Sequence, residues 1–83
     1  MAYYNRGNAY GSQGKHTQAL TDFGQALKFK PDLASAHLGQ GIAYRLSGNR
    51  SNAIQAFKKT LELSQDSAMR QAAEQNLREL GSK

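Results

Sequence analysis

The stretch GNAYGSQGKHTQALTDFGQALKFKP, residues 7–31, decides the fold, because much of it recurs 34 residues later. The recurring positions carry small, aromatic and turn-forming residues, which few other side chains can replace. They pair Gly7 with Gly41, Ala9 with Ala43, Tyr10 with Tyr44, Gly14 with Gly48, Ala19 with Ala53, Phe23 with Phe57, Leu27 with Leu61 and Asp32 with Asp66. A fixed period of about 20–50 residues is typical of stacked structural units. The sequence therefore predicts a repeat protein.

Length and composition exclude several classes of protein. The 83 residues form at most one small domain, and the absence of cysteine excludes disulfides and zinc–thiolate sites. No apolar run is long enough to span a membrane, and the N-terminus does not resemble a secretory signal. These absences favour a cytoplasmic location, and the immediate start of the repeat pattern suggests a segment of a longer protein. The net charge of +5 comes from dispersed lysines and arginines.

The periodicity predicts five helices and no strands, over residues 2–13, 16–29, 33–46, 50–64 and 67–80. Apolar residues follow helical spacing in each copy, as in Ala19, Leu20, Phe23, Ala26 and Leu27. Glycine accepts the left-handed conformation that often ends a helix, so helix ends are predicted at Gly14, Gly48 and Gly81. Side-chain N-caps are predicted at Asp32, Asn49 and Asp66. Such short connections predict antiparallel helix pairs.

Small residues in the pattern predict close helix packing. Gly7 and Gly41 lack a side chain, so a neighbouring helix can approach them closely, and Ala19 and Ala53 do the same from the second helix of each pair. The large rings then fill the adjacent space: Tyr10, Tyr44, Phe23 and Phe57. Each pair leaves one apolar face that only the next pair can cover.

This pattern resembles the tetratricopeptide repeat, a helix pair of about 34 residues. The first copy carries Tyr3, Gly7, Tyr10, Gly14, Ala19, Phe23, Ala26 and Pro31, and the second carries Gly41, Tyr44, Gly48, Ala53 and Phe57. The chain departs from the family pattern at five positions: Arg6, His37, Gln40, Thr60 and Gln65. The resemblance implies an all-α fold, an α-solenoid of antiparallel helix pairs in a right-handed superhelix. It divides the chain into repeat 1 (1–32), repeat 2 (33–66) and a C-terminal capping helix (67–81).

The resemblance also implies a peptide-binding groove lined by the first helix of each pair. The groove residues expected to contact a partner are Tyr4, Asn5, Asn8, Leu38, Ile42 and Arg45. Gly11 and Gly39 are further groove positions of the two repeats, and the capping helix would add Ala72, Ala73, Asn76 and Glu79. One subfamily binds acidic chaperone tails through a carboxylate clamp, but only Asn8 matches its five positions. Leu38 and Ile42 lie one turn apart and are either core residues or an exposed apolar surface.

No catalytic or metal-binding constellation is present in the sequence. The two histidines, His16 and His37, stand alone, and the six carboxylates are assigned to helix caps and helix surfaces. We therefore expect no enzyme activity, no cofactor and no metal.

Protein–protein interaction is the leading functional prediction, with a protein or peptide partner, and the charge leaves an acidic partner open. A second hypothesis is homo-oligomerisation through the uncovered face of the first repeat, at Met1, Tyr3 and Tyr10. RNA binding is disfavoured, because the basic residues form no continuous stripe.

Overall fold

The structure is a computed structural model that describes residues 2–81. Within this range the chain forms five α-helices and no strand. They are α1 (Ala2–Ser12), α2 (His16–Phe29), α3 (Ala34–Leu46), α4 (Arg50–Leu63) and α5 (Ser67–Glu79). The predicted all-α class and helix count are confirmed, and each predicted boundary lies within one residue of the observed one.

The helix ends show which sequence signals were correct. Gly14, Gly48 and Gly81 have φ values of 78°, 85° and 79°, the left-handed conformation predicted for them. Two predicted N-caps are also confirmed. The Asn49 side chain accepts a hydrogen bond from the Asn52 amide at 3.3 Å, and the Asp66 carboxylate accepts one from the Met69 amide at 2.9 Å.

The prediction that Asp32 caps the third helix is wrong. Helix α3 begins at Ala34, so Leu33 occupies the N-cap position, where no side chain makes a capping hydrogen bond. Asp32 therefore lies one residue too early in the chain, exposed in the turn. Its match with Asp66 in the 34-residue pattern does not extend to the capping function.

Two buried phenylalanine rings organise the packing. Phe23 of α2 lies beneath α1 and α3, so close that a Cβ added at Gly7 would lie 2.9 Å from its ring and one at Gly39 only 2.5 Å. Phe57 of α4 lies beneath α3, where a Cβ at Gly41 would lie 2.7 Å from its ring. The predicted close approach at Gly7 and Gly41 is confirmed, and its partner is a ring rather than a backbone.

Alanines complete two small cores around these rings. The first core combines Phe23 with Ala19, Ala26, Ala36 and Ala43, and the second combines Phe57 with Ala53, Ala73 and Leu77. Each core therefore takes residues from the next helix pair or helix, as expected for units that cover one another.

Short connections keep sequence neighbours in contact. Each helix packs mainly on the one before and the one after, with further contacts of α1 with α3 and of α3 with α5. Helices α1, α3 and α5 therefore form one row, and α2 and α4 the other. The role of α5 as a closing cap stays a prediction.

Adding one methyl group at Gly41 should destabilise the fold. The Gly41→Ala side chain would overlap the Phe57 ring, and because this ring is fully buried, the surrounding core must shift to admit the methyl group. We expect the free energy of unfolding to fall by about 1–3 kcal/mol, the usual cost of overpacking. Urea denaturation, monitored by far-UV circular dichroism, measures this change in the free energy of unfolding.

Gly24→Ala is the matched control, since a Cβ at this helical glycine meets nothing within 4 Å. It should stabilise α2 by about 0.5–1 kcal/mol through helix propensity. Equal effects of the two substitutions would contradict the packing role assigned to Gly41.

Candidate functional site

A cavity of about 270 Å³ opens between α1 and α3, and we refer to it as the α1–α3 cavity. Helix α1 lines it with Gly7, Asn8, Gly11 and Ser12, and α3 lines it with Gly39, Ile42, Ala43 and Leu46. His16 and Phe23 of α2 complete the lining. The cavity therefore lies in the row of first helices, where the groove was predicted.

Glycines create this space. A Cβ at Gly11 would meet nothing within 4 Å, so the α1 side of the cavity is empty at this level. At Gly7 and Gly39 the missing side chains leave room for the Phe23 ring instead. An α1 helix with ordinary side chains at Gly11 would partly fill the cavity.

The two sides of the cavity differ in polarity. On the α3 side, Ile42 and Leu46 are large apolar residues that are 40% and 60% exposed. On the other side lie the polar side chains of Asn8, Ser12 and His16. His16 Nδ1 is buried and has no hydrogen-bond partner among the described residues. Such a nitrogen is energetically unfavourable until a partner satisfies it.

The equivalent gap between α3 and α5 is closed by the chain's own side chains. Arg45, the repeat equivalent of Gly11, donates a hydrogen bond to Asn76 Oδ1 at 2.5 Å and forms an ion pair with Glu79 at 2.6 Å. Arg50, the equivalent of His16, donates to the Leu80 carbonyl at 2.8 Å. Hydrogen bonds from Arg45, and also from Gln75, lower the pKa of Glu79. Within the described part of the chain, only the first gap therefore remains open.

The predicted groove residues separate into three environments. Asn8 and Ile42 line the α1–α3 cavity, and Asn5 is exposed on α1 outside it. Tyr4 and Leu38 are half-buried and pack on the first and second cores, with the Tyr4 ring centroid 5.9 Å from that of Phe23. Arg45 is held by α5. Leu38 is therefore a core-packing residue, whereas Ile42 is an exposed apolar residue.

Sequence reasoning missed His16 and Leu46 as lining residues, whereas it named Gly11 and Gly39 as groove positions without assigning them a contact with a partner. A signal for the glycines exists in the comparison of the two copies. Gly11 of the first copy is equivalent to Arg45 of the second, and Gly39 of the second copy is equivalent to Asn5 of the first. Each glycine therefore occupies a position where the other copy has a side chain. Periodicity gives no such signal for His16, which begins α2 directly after the turn.

The assignment of Asp22 to the helix surface is wrong. Its side chain is only 3% exposed and forms two hydrogen bonds with Arg6, from Nε at 2.7 Å and from Nη2 at 2.8 Å. The hydrogen bonds and charge of Arg6 hold the pKa of Asp22 below its usual value. Because Arg6 occupies its acceptor oxygens, this carboxylate joins α1 to α2 rather than forming an acid–base site.

A second cavity, of about 320 Å³, lies between α3 and α4 at the positions equivalent to this ion pair. Gln40 replaces Arg6 and Ala56 replaces Asp22, so the space is left unfilled. The other lining residues are mostly polar: His37, Tyr44, Asn52, Gln55 and Lys59.

Residues 2–81 lack two kinds of feature, a metal-ligating cluster and a membrane-spanning helix. The described chain contains no group of three or more potential metal-ligating His, Cys, Asp or Glu residues. None of its helices combines the length and apolar character needed to cross a bilayer.

Comparison with protein families gives two tandem matches. Family models described as "Tetratricopeptide repeat" match residues 1–33 and residues 35–67. The chain belongs to the tetratricopeptide repeat family. Repeats of this family are generally protein–protein interaction modules and non-catalytic scaffolds. In this tetratricopeptide chain, the helix pair α1–α2 falls within the first matched segment. The pair α3–α4 falls within the second except for its first residue, Ala34, and α5 begins at the last matched residue, Ser67.

The Arg6–Asp22 pair should give stability that depends on pH. Since the folded-state pKa of Asp22 is lowered, the pair stabilises the fold above the unfolded pKa, about 4. This contribution is lost as the pH falls from there through the folded-state pKa. Asp22→Asn should therefore reduce the free energy of unfolding most above about pH 5. Urea titrations from neutral pH to about pH 2 would show the two proteins converging.

Glu74→Gln provides the control, because it removes an exposed carboxylate from α5 that makes no ion pair with a described residue. It should leave the pH profile close to that of the wild type. A stability difference for Asp22→Asn that is the same at every pH would contradict the ion-pair role.

Proposed function

We propose that this chain is a non-catalytic protein-binding module that holds a peptide or helix of a partner against α1 and α3. The observation that carries the proposal is the α1–α3 cavity, the one gap along the described row of first helices that the chain does not fill itself. Ile42 and Leu46 border it and remain exposed. Exposed large apolar residues around a cavity are typical of interaction sites.

The electrostatics of the groove favour a partner segment that is not strongly acidic. Arg45, the one charged residue of the predicted groove set, already forms an ion pair with Glu79. An acidic ligand would have to compete with that carboxylate. This argues against the acidic partner that the net charge of +5 had left open.

A charge placed in the groove should weaken partner binding. Peptides selected from a random displayed library against the whole chain provide the ligands. Ile42→Lys should raise their Kd by about tenfold or more, because a lysine at the apolar border of the cavity must lose its hydration on binding. Isothermal titration calorimetry measures the Kd, and circular dichroism verifies that the variant is folded.

Gln55→Lys is the matched control, since Gln55 is exposed at the second cavity and the substitution adds the same charge. Its Kd should equal that of the wild type. If both lysine variants weaken binding equally, or neither does, the groove is not where the peptides bind.

We propose self-association as a second candidate function, on the basis of an exposed aromatic pair. The rings of Tyr3 and Phe29 stack at 5.9 Å with 14° between their planes, and Phe29 is 72% exposed. Tyr10, also expected on this face, is half-buried against the first core, and Met1 lies outside the described residues. An exposed stacked pair offers apolar area to a second copy.

Sedimentation velocity over a range of concentrations tests this candidate. A dimer that weakens by about tenfold on Phe29→Gln would support it, because the aromatic contact would carry much of the interface energy. The Ile42→Lys variant should dimerise like the wild type. A monomer at every concentration would exclude self-association through this face.

A further inference from the structure

The second cavity, between α3 and α4, is separate from the predicted groove. Among the described residues, none lines both this cavity and the α1–α3 cavity. Helix α3 contributes His37, Gln40 and Tyr44, whose spacing of three and four residues places them on one face of the helix. Ile42 and Leu46, which border the groove, belong to another face of the same helix. A ligand in the second cavity would therefore not occupy the groove.

The first helix pair shows what fills the equivalent space. There the Asp22 carboxylate accepts hydrogen bonds from Arg6 Nε at 2.7 Å and from Arg6 Nη2 at 2.8 Å, and only 3% of the Asp22 side chain is exposed. In the second pair Ala56 stands at the position of Asp22, and Gln40 stands at that of Arg6. The space that a carboxylate fills in the first pair is therefore open in the second.

The charge of the lining favours an anionic occupant. Lys59 lines the second cavity, whereas no carboxylate does among residues 2–81. The side-chain amides of Gln40, Asn52 and Gln55 add N–H donors. A carboxylate that enters would meet an ammonium group and amide donors. A guanidinium, the other half of the first ion pair, would instead meet the lysine and find no carboxylate to bind.

Lys59 is accessible to such an occupant. Its Nζ lies 3.3 Å from Glu62 Oε1, and the two side chains are 44% and 66% exposed. Exposed ion pairs of this kind contribute little free energy, so exchanging Glu62 for an incoming carboxylate costs little. The Arg45–Glu79 pair of the groove is shorter, at 2.6 Å, and its arginine also donates a hydrogen bond to Asn76. An acidic group therefore meets a more available cation in the second cavity than in the groove.

The volume and polarity of the second cavity suit a side chain that a protein delivers. At about 320 Å³ it is near the lower limit of sites for whole small molecules, and those sites are lined mostly by apolar groups. Here every lining residue that the structure describes except Ala56 has a polar side chain. Since the chain belongs to a family of protein-interaction repeats, a protein is the expected source of the carboxylate.

We propose that the second cavity binds one acidic side chain of a protein partner, whose carboxylate takes the place that Asp22 holds in the first pair and bonds Lys59 and Gln40. This site lies on a different face of α3 from the groove, so it adds to the proposed function rather than resting on it. Failure of one site would leave the other standing.

Two probes that differ in one functional group test the charge preference. The isotopically labelled full chain is titrated with the α-amides of N-acetylglutamate and N-acetylglutamine, and backbone amide shifts are recorded by NMR. The glutamate probe should perturb the amides of Gln40, Ala56 and Lys59. It should bind about fivefold more tightly than the glutamine probe, because hydrogen bonds to a charged group are stronger. Ile42→Lys, in the groove, should leave this preference unchanged.

Two adjacent lysines supply the matched variants. Lys59→Gln removes the proposed cation and should weaken binding of the glutamate probe by about fivefold. Lys58→Gln removes the same charge from an exposed residue that does not line the second cavity, and its Kd should equal that of the wild type. Equal weakening by the two substitutions would show attraction to net charge alone and would overturn the site.

An occupant built into the chain tests the cavity itself. Gln40→Arg combined with Ala56→Asp copies the ion pair of the first helix pair, so it should fill the cavity and abolish binding of the glutamate probe. Ala56→Asp alone should introduce a carboxyl group whose pKa lies below the ordinary value of about 3.9, because Lys59 stabilises its charged form. Gln71→Asp, on the exposed surface of α5, is the control and should titrate near that value. NMR pH titration measures both pKa values, and circular dichroism verifies folding.

Several other results would overturn the proposal. These are equal binding of the two probes, shifts scattered over the chain, and an ordinary or raised pKa for the carboxyl group of Ala56→Asp. Tighter binding of inorganic phosphate than of the glutamate probe would identify a phosphate site instead. Concentration-dependent shifts at Gln40 and Ala56 without a probe would identify a second copy, rather than a partner, as the source of the carboxylate. The two lysine variants decide the question even if the double variant does not fold.

Discussion

The structure depends on the contact between a phenylalanine ring and the glycines above it. Phe23 lies under Gly7 and Gly39, and Phe57 lies under Gly41, at distances that leave no room for a Cβ. A large flat group thus meets bare backbone, which lets thin cores of alanine and phenylalanine reach the packing density of a protein interior. The helices of this small chain can approach each other closely only because of that pairing. The site follows from it, since the bare helix surface that admits Phe23 also leaves the α1–α3 cavity next to it.

The sequence predicted the scaffold well because the scaffold repeats. Glycine, aromatic and alanine positions recur at 34 residues, and this period gave the helix count, the helix ends and the family. It was misleading where equivalent positions differ in their surroundings. Asp32 and Asp66 match in the sequence, but only Asp66 caps a helix. Asp22 has an ordinary surface pattern, and only the position of Arg6 across the helix pair explains why it is buried.

The candidate site was harder to predict for the same reason. The resemblance placed the groove on the first helices, and Asn8 and Ile42 do line the cavity. It could not tell that Tyr4 and Leu38 face the cores, or that Arg45 is held by Glu79. Those facts depend on which side chains meet across a gap between elements that are far apart in the sequence. The differences between the copies, such as Gly11 against Arg45, carry this information, and they become interpretable only when both gaps are compared in three dimensions.

The bridge from Arg45 to α5 has a consequence for the mechanics of the chain. In the second gap a side chain of the protein clamps two first helices together, whereas α1 has no such clamp to α3 among the described residues. Opening of α1 would therefore break its ion pair with Asp22 of α2 but no side-chain bond to α3, and units of this kind open locally from their ends. A guest that bridges α1 and α3 would act as the missing clamp. Binding of such a guest would stabilise the closed position of α1 and slow amide hydrogen exchange there. Partner binding and the local stability of α1 would then be coupled.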